Sequence, residues 1–222
     1  MTIISWNALA PNTRRVFDAL AALPAPPDFY LAGGTALALQ LGHRISYDLD
    51  FFSMTNPLGM AERSLLAHQL QSITATTIKR EQDEQLYATI MGVEASFVYQ
   101  HHPLLFPTIE VTGLRLAQAI DIGLMKLSAI KDRGTRRDFI DLYCLRKIAP
   151  LKTLFEMLPK KYFDRPDFTV HLAYALQYFE DAENDTRELR MLQSVKWSDV
   201  KKYCTEGSNL LSKLNAGLEP RK

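Results

Sequence analysis

The chain has 222 residues, 47% of them hydrophobic and 23% charged, with a formal net charge of +1. That is enough apolar material for a packed core without a disulfide or metal staple, in one large domain or a domain with an appended helical half. A charge so near zero excludes attachment to nucleic acid or membrane by overall electrostatics, so any anion site has to be local.

Cys144 and Cys204 lie far apart with no partner at metal-ligand spacing, which fits a reducing compartment. Cys144, inside "DFIDLYCL", reads as a small core residue. The start "MTIISWNALAPNTRR" lacks a basic segment followed by a long apolar one, so no signal peptide is expected. No window approaches the roughly 18 apolar residues of a membrane span. The expected location is the cytoplasm.

In chain order, "PNTRRVFDALAAL" predicts a helix capped by Asn12 or Thr13, with Val16, Leu20 and Leu23 on one face. "LPAPPD" breaks it. "FYLAGG" reads as a short buried strand, and "TALALQLG" as a short helix stopped by Gly42. "SYDLDFFS" alternates as a strand. "GMAERSLLAHQLQSI" reads as a helix with Leu65, Leu66 and Leu70 in its apolar stripe. "TATTIKR", "QLYATIM" and "VEASFVYQ" read as strands, the first two joined by a turn at Asp83 and Glu84. From Leu114 onward the pattern becomes helical: "LRLAQAIDIGLMKLSAIKD", "TRRDFIDLYCLRK", "FTVHLAYALQYFEDAE" and "WSDVKKYCTEGSNLLSKL". The expected layout is α+β: an α/β core over residues 1–112 and an all-helical half over 113–222. With no flexible linker between them, they should pack as one continuous unit with a cleft between the halves.

Gly33, Gly34 and Thr35 stand where a strand gives way to a helix. Glycines there let backbone approach a ligand, and the amides of a first helical turn suit an anion. Thr35 can cap that helix. Alone, the glycine pair also suits a plain tight turn. Asp48 and Asp50 add weight, because residues two apart on a strand share a face. Two neighbouring carboxylates repel unless a cation or donor sits between them, and Mg²⁺ (or Mn²⁺) prefers oxygen ligands and phosphate. A third carboxylate would complete a two-metal arrangement. Glu94 can fill that role, with Ser96 beside it on the same face; a solvated glutamate is the plainer explanation.

On the helix containing "AQAIDIGLMKLSAIKD", Gln118, Asp121, Ser128 and Asp132 make the polar side. Lys126 falls opposite, among Ala119, Ile122, Gly123 and Ile130. A lysine on an apolar arc needs an anion: a structural salt bridge to Asp138 is the plain reading, and the functional one is a phosphate ligand or a lysine positioned by Asp138. Asp138 follows Thr135 by three residues, close to a capping box, yet Leu142 and Leu145 turn it toward packed structure. Lys131, Arg133, Arg136 and Arg137 crowd this turn, either as a solvated charge run or as contacts to nucleotide or RNA phosphate. His43 and Arg44, just before the D-x-D strand, can touch phosphate. His101 and His102 read as the start of a loop, and His68 and His171 as structural residues in amphipathic helices.

Together, "LAGGTALALQLGHRISYDLDFF", "MKLSAIKDRGTRRDFIDLYCL" and "ALQYFEDAENDTRELRML…W" resemble the AbiEii/AbiGii-type nucleotidyltransferase toxins, over roughly residues 12 to 205. The first motif belongs more broadly to the DNA polymerase β-like nucleotidyltransferases. The resemblance implies a mixed-sheet nucleotidyltransferase core with flanking helices, an NTP donor, and Mg²⁺. It further implies a type IV toxin–antitoxin or phage-defence setting with a separately encoded antitoxin. It places the family's motif residues at Gly34, Thr35, Asp48, Asp50, Lys126 and Asp138, and suggests an RNA acceptor such as tRNA, or a protein hydroxyl. Relatives often read like "VKVDF" where this chain has "VEASF", so Ser96 replaces an aspartate. That departure leaves room for a second class, a nucleotidyltransferase fold that binds nucleotide or a partner without turnover. A third class is a phosphotransferase that releases nucleoside diphosphate.

Overall fold

The computed structural model describes residues 3–23, 28–73 and 75–218. The expected break at "LPAPPD" falls largely on residues 24–27, outside the described residues. The chain divides into two compact units, Met1–Gln118 and Ala119–Lys222.

The first unit runs α1 (Pro11–Ala22), β1 (Phe29–Leu31), α2 (Gly33–Leu41), β2 (Leu49–Ser53), α3 (Met60–Gln71), β3 (Thr76–Gln82), β4 (Gln85–Ile90), β5 (Val93–Tyr99), β6 (Ile109–Val111) and β7 (Leu114–Leu116). Among the described residues these strands form a seven-stranded sheet in the order β3-β4-β5-β2-β1-β7-β6. It is mixed. β2 pairs parallel with β5 and antiparallel with β1, while β1 pairs parallel with β7. The parallel register of β2 and β5 sets Phe51 beside Phe97 and Asp50 beside Ser96. With a side-chain period of two, this puts Phe51 and Phe97 on one face and Asp50 and Ser96 on the other. Phe51 and Phe97 stack at 5.0 Å, and Phe29 meets Phe97 edge-on at 5.5 Å.

Local chemistry departs from the sequence reading at several ends. The cap of α1 is Ala10, with Pro11 filling the first helical turn, where its missing N–H costs nothing. Thr13, expected as a cap, instead donates to the Tyr47 carbonyl at 3.1 Å. Leu65 is exposed, so the buried side of α3 is Leu66, Ala67 and Leu70. Leu114–Leu116, expected to open a helix, is strand β7, paired antiparallel with β6 around Thr112 and Gly113. Both turn residues have positive φ, 45° and 93°, as a tight two-residue hairpin requires.

The second unit is helical: α4 (Ala119–Asp132), α5 (Arg136–Leu145), α6 (Leu151–Lys161), α7 (Phe168–Ala175), α8 (Glu180–Glu183) and α9 (Trp197–Asn215). The sequence reading did not place α6, which buries Leu151, Leu154, Phe155 and Leu158 and holds Pro159 in its last turn. The helix expected over "FTVHLAYALQYFEDAE" is two helices, α7 and α8, separated by a turn. Cys204 is the buried cysteine, its thiol pushed up to about 12 by burial. Cys144 is only half-buried.

Candidate active site

In the sheet unit the site grows from the junction of β1 and α2. The Ala32 amide donates to the Asp50 carbonyl at 2.9 Å, tying the start of α2 to β2. Gly33 follows with φ +62°, and a Cβ built there would lie 2.9 Å from Asp50 Oδ2. Only a glycine leaves that notch open beside the carboxylate. Thr35 does not cap α2, whose cap is Ala32. Its buried hydroxyl instead donates to the Asp48 carbonyl at 2.5 Å, and lies 2.7 Å from Ser46 Oγ and 3.3 Å from Asp48 Oδ1.

Asp48 immediately precedes β2 and Asp50 lies within it. Ser46 Oγ is 3.4 Å from Asp48 Oδ1, and Ser96 Oγ donates to Asp50 Oδ1 at 2.6 Å. Each carboxylate therefore has a serine hydroxyl among its contacts. The donor set is all hard oxygen, and a glycine at 33 lets the turn of α2 come up against Asp50 Oδ2, so these residues fit an Mg²⁺-type ion. Glu94 does not join them at Asp50. Its exposed side chain accepts from Thr89 Oγ1 at 2.7 Å, and Ser96 takes the place beside the aspartate. Among the described residues, no group of three or more His, Cys, Asp or Glu side chains is arranged to hold a metal. His43 and Arg44 are buried rather than presented to solvent. Arg44 donates to the Ile45 carbonyl and to Ser46 Oγ, each at 3.3 Å, which makes it a support for the serine beside Asp48.

The helical unit holds a second charged cluster. Lys126 Nζ lies 2.8 Å from Asp138 Oδ1 and 2.7 Å from Asp141 Oδ2, and both carboxylates are fully buried. The expected contact between Lys126 and Asp138 is present, as both a structural salt bridge and a lysine positioned by Asp138 require. Asp141 was not singled out in the sequence, although its i+3 spacing from Asp138 puts both on one face of α5. Thr135 does stand at the N-cap of α5, but its hydroxyl donates to Asp138 Oδ2 at 2.6 Å, and Arg133 Nε donates to the same oxygen at 3.3 Å. Burial pushes the Asp138 carboxyl up. The Lys126 and Arg133 charges, with the Lys126 and Thr135 hydrogen bonds, outweigh it and hold the pKa down to about 2. Asp121, placed by the sequence on the polar side of α4, is fully buried and paired with Lys161 at 3.0 Å. Burial lowers the Lys161 pKa, and the Asp121 charge opposes that shift.

The basic turn has unequal members. Arg133 is 60% exposed while touching Asp138, Arg136 lies over the Trp197 ring at 4.9 Å, and Arg137 is half-buried. Phe139, Phe179 and Trp197 pack their rings 5.2 to 6.1 Å apart. The segment "ALQYFEDAENDTRELRML…W" thereby braces the start of α5. Of the remaining histidines, His101 and His102 do lie in a loop, whereas His68 and His171 are exposed rather than structural.

Similarity to known proteins agrees with this architecture. The described fold matches JHP933 from Helicobacter pylori with a TM-score of 0.53 and 21% identity, over 97% of this chain and 100% of that one. It also matches MenT4, a nucleotidyltransferase toxin of Mycobacterium tuberculosis, with a TM-score of 0.55 and 17% identity, over 91% and 84%. Identities this low bear on fold alone, and the fold is that of a nucleotidyltransferase. The Aquifex aeolicus protein aq_aa25 is 34% identical over 184 residues, covering 81% of this chain and 87% of that one. The family model "Nucleotidyl transferase AbiEii toxin, Type IV TA system" matches residues 15–124, a span that includes both aspartates and ends before Lys126. The chain belongs to the AbiEii family of nucleotidyltransferase toxins and is an enzyme of that class. Among the described residues no helix is long and apolar enough to cross a membrane.

Proposed function

We propose that this chain moves a nucleoside monophosphate from an NTP to an RNA acceptor such as a tRNA end. It does so in the cytoplasm, as the toxin of a type IV toxin–antitoxin or phage-defence pair whose antitoxin is a separate protein. The observation that carries this reading is the approach of Asp50 Oδ2 to Gly33 at the first turn of α2, with Asp48 held by Thr35 in the same turn.

The amides of Gly33, Gly34 and Thr35 would face the triphosphate, where a helix N-terminus favours anions. Asp48 and Asp50 would hold Mg²⁺ or Mn²⁺. A bound ion of this kind neutralises charge at the transferring phosphate and makes the acceptor hydroxyl easier to deprotonate. The acceptor oxygen would bond to the α-phosphorus as the α–β bridging P–O bond breaks. Pyrophosphate leaves, and the hydroxyl proton passes to an aspartate oxygen or to solvent. Asp138, held at about 2, is too weak a base for that proton. We assign Asp138, Lys126 and Asp141 to fixing α4 against α5 and to holding Arg133. Arg133, Arg136 and Arg137 would meet acceptor phosphates, which favours RNA over a protein hydroxyl.

A second reading, nucleotide binding without turnover, is favoured by Ser96 standing where a third carboxylate would sit. The test is to incubate the full chain with Mg²⁺, total cell RNA and protein, and each α-³²P NTP in turn. Label in RNA is the expected result. Label in protein would retain the enzyme and change the acceptor. Nucleotide binding with no label under any NTP would establish the binding module instead.

A further inference from the structure

Ser96 can be read as more than a missing aspartate. The register of β2 and β5 places it directly beside Asp50, and on its other side it pairs with Tyr87 of β4. It is nearly buried, at 9% exposure, and its hydroxyl donates to Asp50 Oδ1 at 2.6 Å. A short hydrogen bond to a carboxylate is among the stronger neutral–ionic contacts, so it fixes the χ angles of Asp50. On the opposite side of the same carboxylate, Oδ2 faces the Gly33 notch. Oδ1 of Asp50 thus accepts from Ser96, and Oδ2 lies against Gly33 at the helix turn.

We propose that Ser96 is a positioning residue that makes this a site for one divalent cation rather than two. Resting on the nucleotidyltransferase reading, this inference sets the metal stoichiometry of that site. A two-metal site needs carboxylates enough to bridge both ions. Here Glu94, the alternative third carboxylate, is engaged by Thr89, and the position beside Asp50 holds a neutral donor. Two carboxylates suit a single Mg²⁺-type ion that completes its octahedron with water and substrate phosphate. Such an ion is held loosely until nucleotide supplies the remaining ligands. The metal–nucleotide complex is then the species that binds.

The experiment is a Mn²⁺ titration of the full chain followed by electron paramagnetic resonance, with and without each α,β-methylene NTP, so that no turnover is needed. The expected result is one Mn²⁺ per chain, bound at least tenfold more tightly when the matching nucleotide is present. Ser96→Ala should keep the count at one and weaken Mn²⁺ binding several-fold, because Asp50 loses its brace. Ser96→Asp should raise the count to two. Two ions per wild-type chain, or Mn²⁺ affinity unmoved by Ser96→Ala in a protein with unchanged melting temperature, would overturn the assignment while leaving the nucleotidyltransferase reading intact. Nucleotide that binds with no Mn²⁺ at all would instead sink that underlying reading.

Discussion

Each unit of the molecule carries a pair of aspartates, and the two pairs are held in opposite ways. Asp138 and Asp141 share the buried ammonium of Lys126, which neutralises charge as it fixes position. At Asp48 and Asp50 the contacts include the Ser46 and Ser96 hydroxyls, which orient a carboxylate without adding charge. Breaking a buried carboxylate–cation pair strands an uncompensated charge. A hydroxyl contact orients a carboxylate without itself neutralising it. In the proposed function the first pair is scaffold and the second is site, although all four residues are aspartates.

The comparison can be broken most forcefully at its cation. Lys126→Met would leave Asp138 and Asp141 buried without a counter-charge and should cost about 3–5 kcal/mol of stability in urea unfolding. Asp50→Asn should leave unfolding nearly unchanged while reducing label transfer by roughly a hundredfold or more. If the two variants behave alike, the distinction between the pairs is lost.

A pH series sharpens the same point. The Asp138 pKa is depressed from 3.8 to about 2 in the folded protein. A depressed carboxylate contributes stability that is present above its unfolded pKa and lost as pH falls through the folded one. The wild type should therefore lose roughly 2 kcal/mol from this group between about pH 4 and pH 2. Asp138→Asn should flatten that part of the profile, and a profile unchanged by the substitution would contradict the cause assigned here.

A smaller loss of stability than at the Lys126 cluster is expected at the notch. Gly33→Ala places a Cβ at a φ of +62° and 2.9 Å from Asp50 Oδ2, costing about 1–2 kcal/mol for the left-handed backbone. Its effect on label transfer should exceed that cost, because Ser96 and the new methyl would press on the same carboxylate from opposite sides.

Much of the site was legible because it depends on local periodicity. Strand alternation put Asp48 and Asp50 on one face, and the glycines marked the strand-to-helix junction. The same alternation would have pointed to Ser46, two residues before Asp48. Lys126 on the apolar arc of α4 correctly demanded a buried anion, and Asp138 was found on that ground. Asp141 needed the i+3 spacing to be read as well. What the sequence could not show was set by long-range pairing. Thr35 looks like a cap until Ser46 and Asp48 come within reach of its hydroxyl. Asp121 looks solvated until Lys161 arrives from α6. The short strands β6 and β7 are too brief for periodicity to outweigh the helical pattern that follows them.

The most direct test of the central claim is a paired labelling of RNA with α-³²P and γ-³²P forms of the same NTP, beside the Asp48→Ala/Asp50→Ala double variant. Transfer of an NMP requires the α label to enter RNA, the γ label to leave in pyrophosphate, and both signals to vanish in the variant. Entry of the γ label into the acceptor would mark a phosphotransferase and contradict the account.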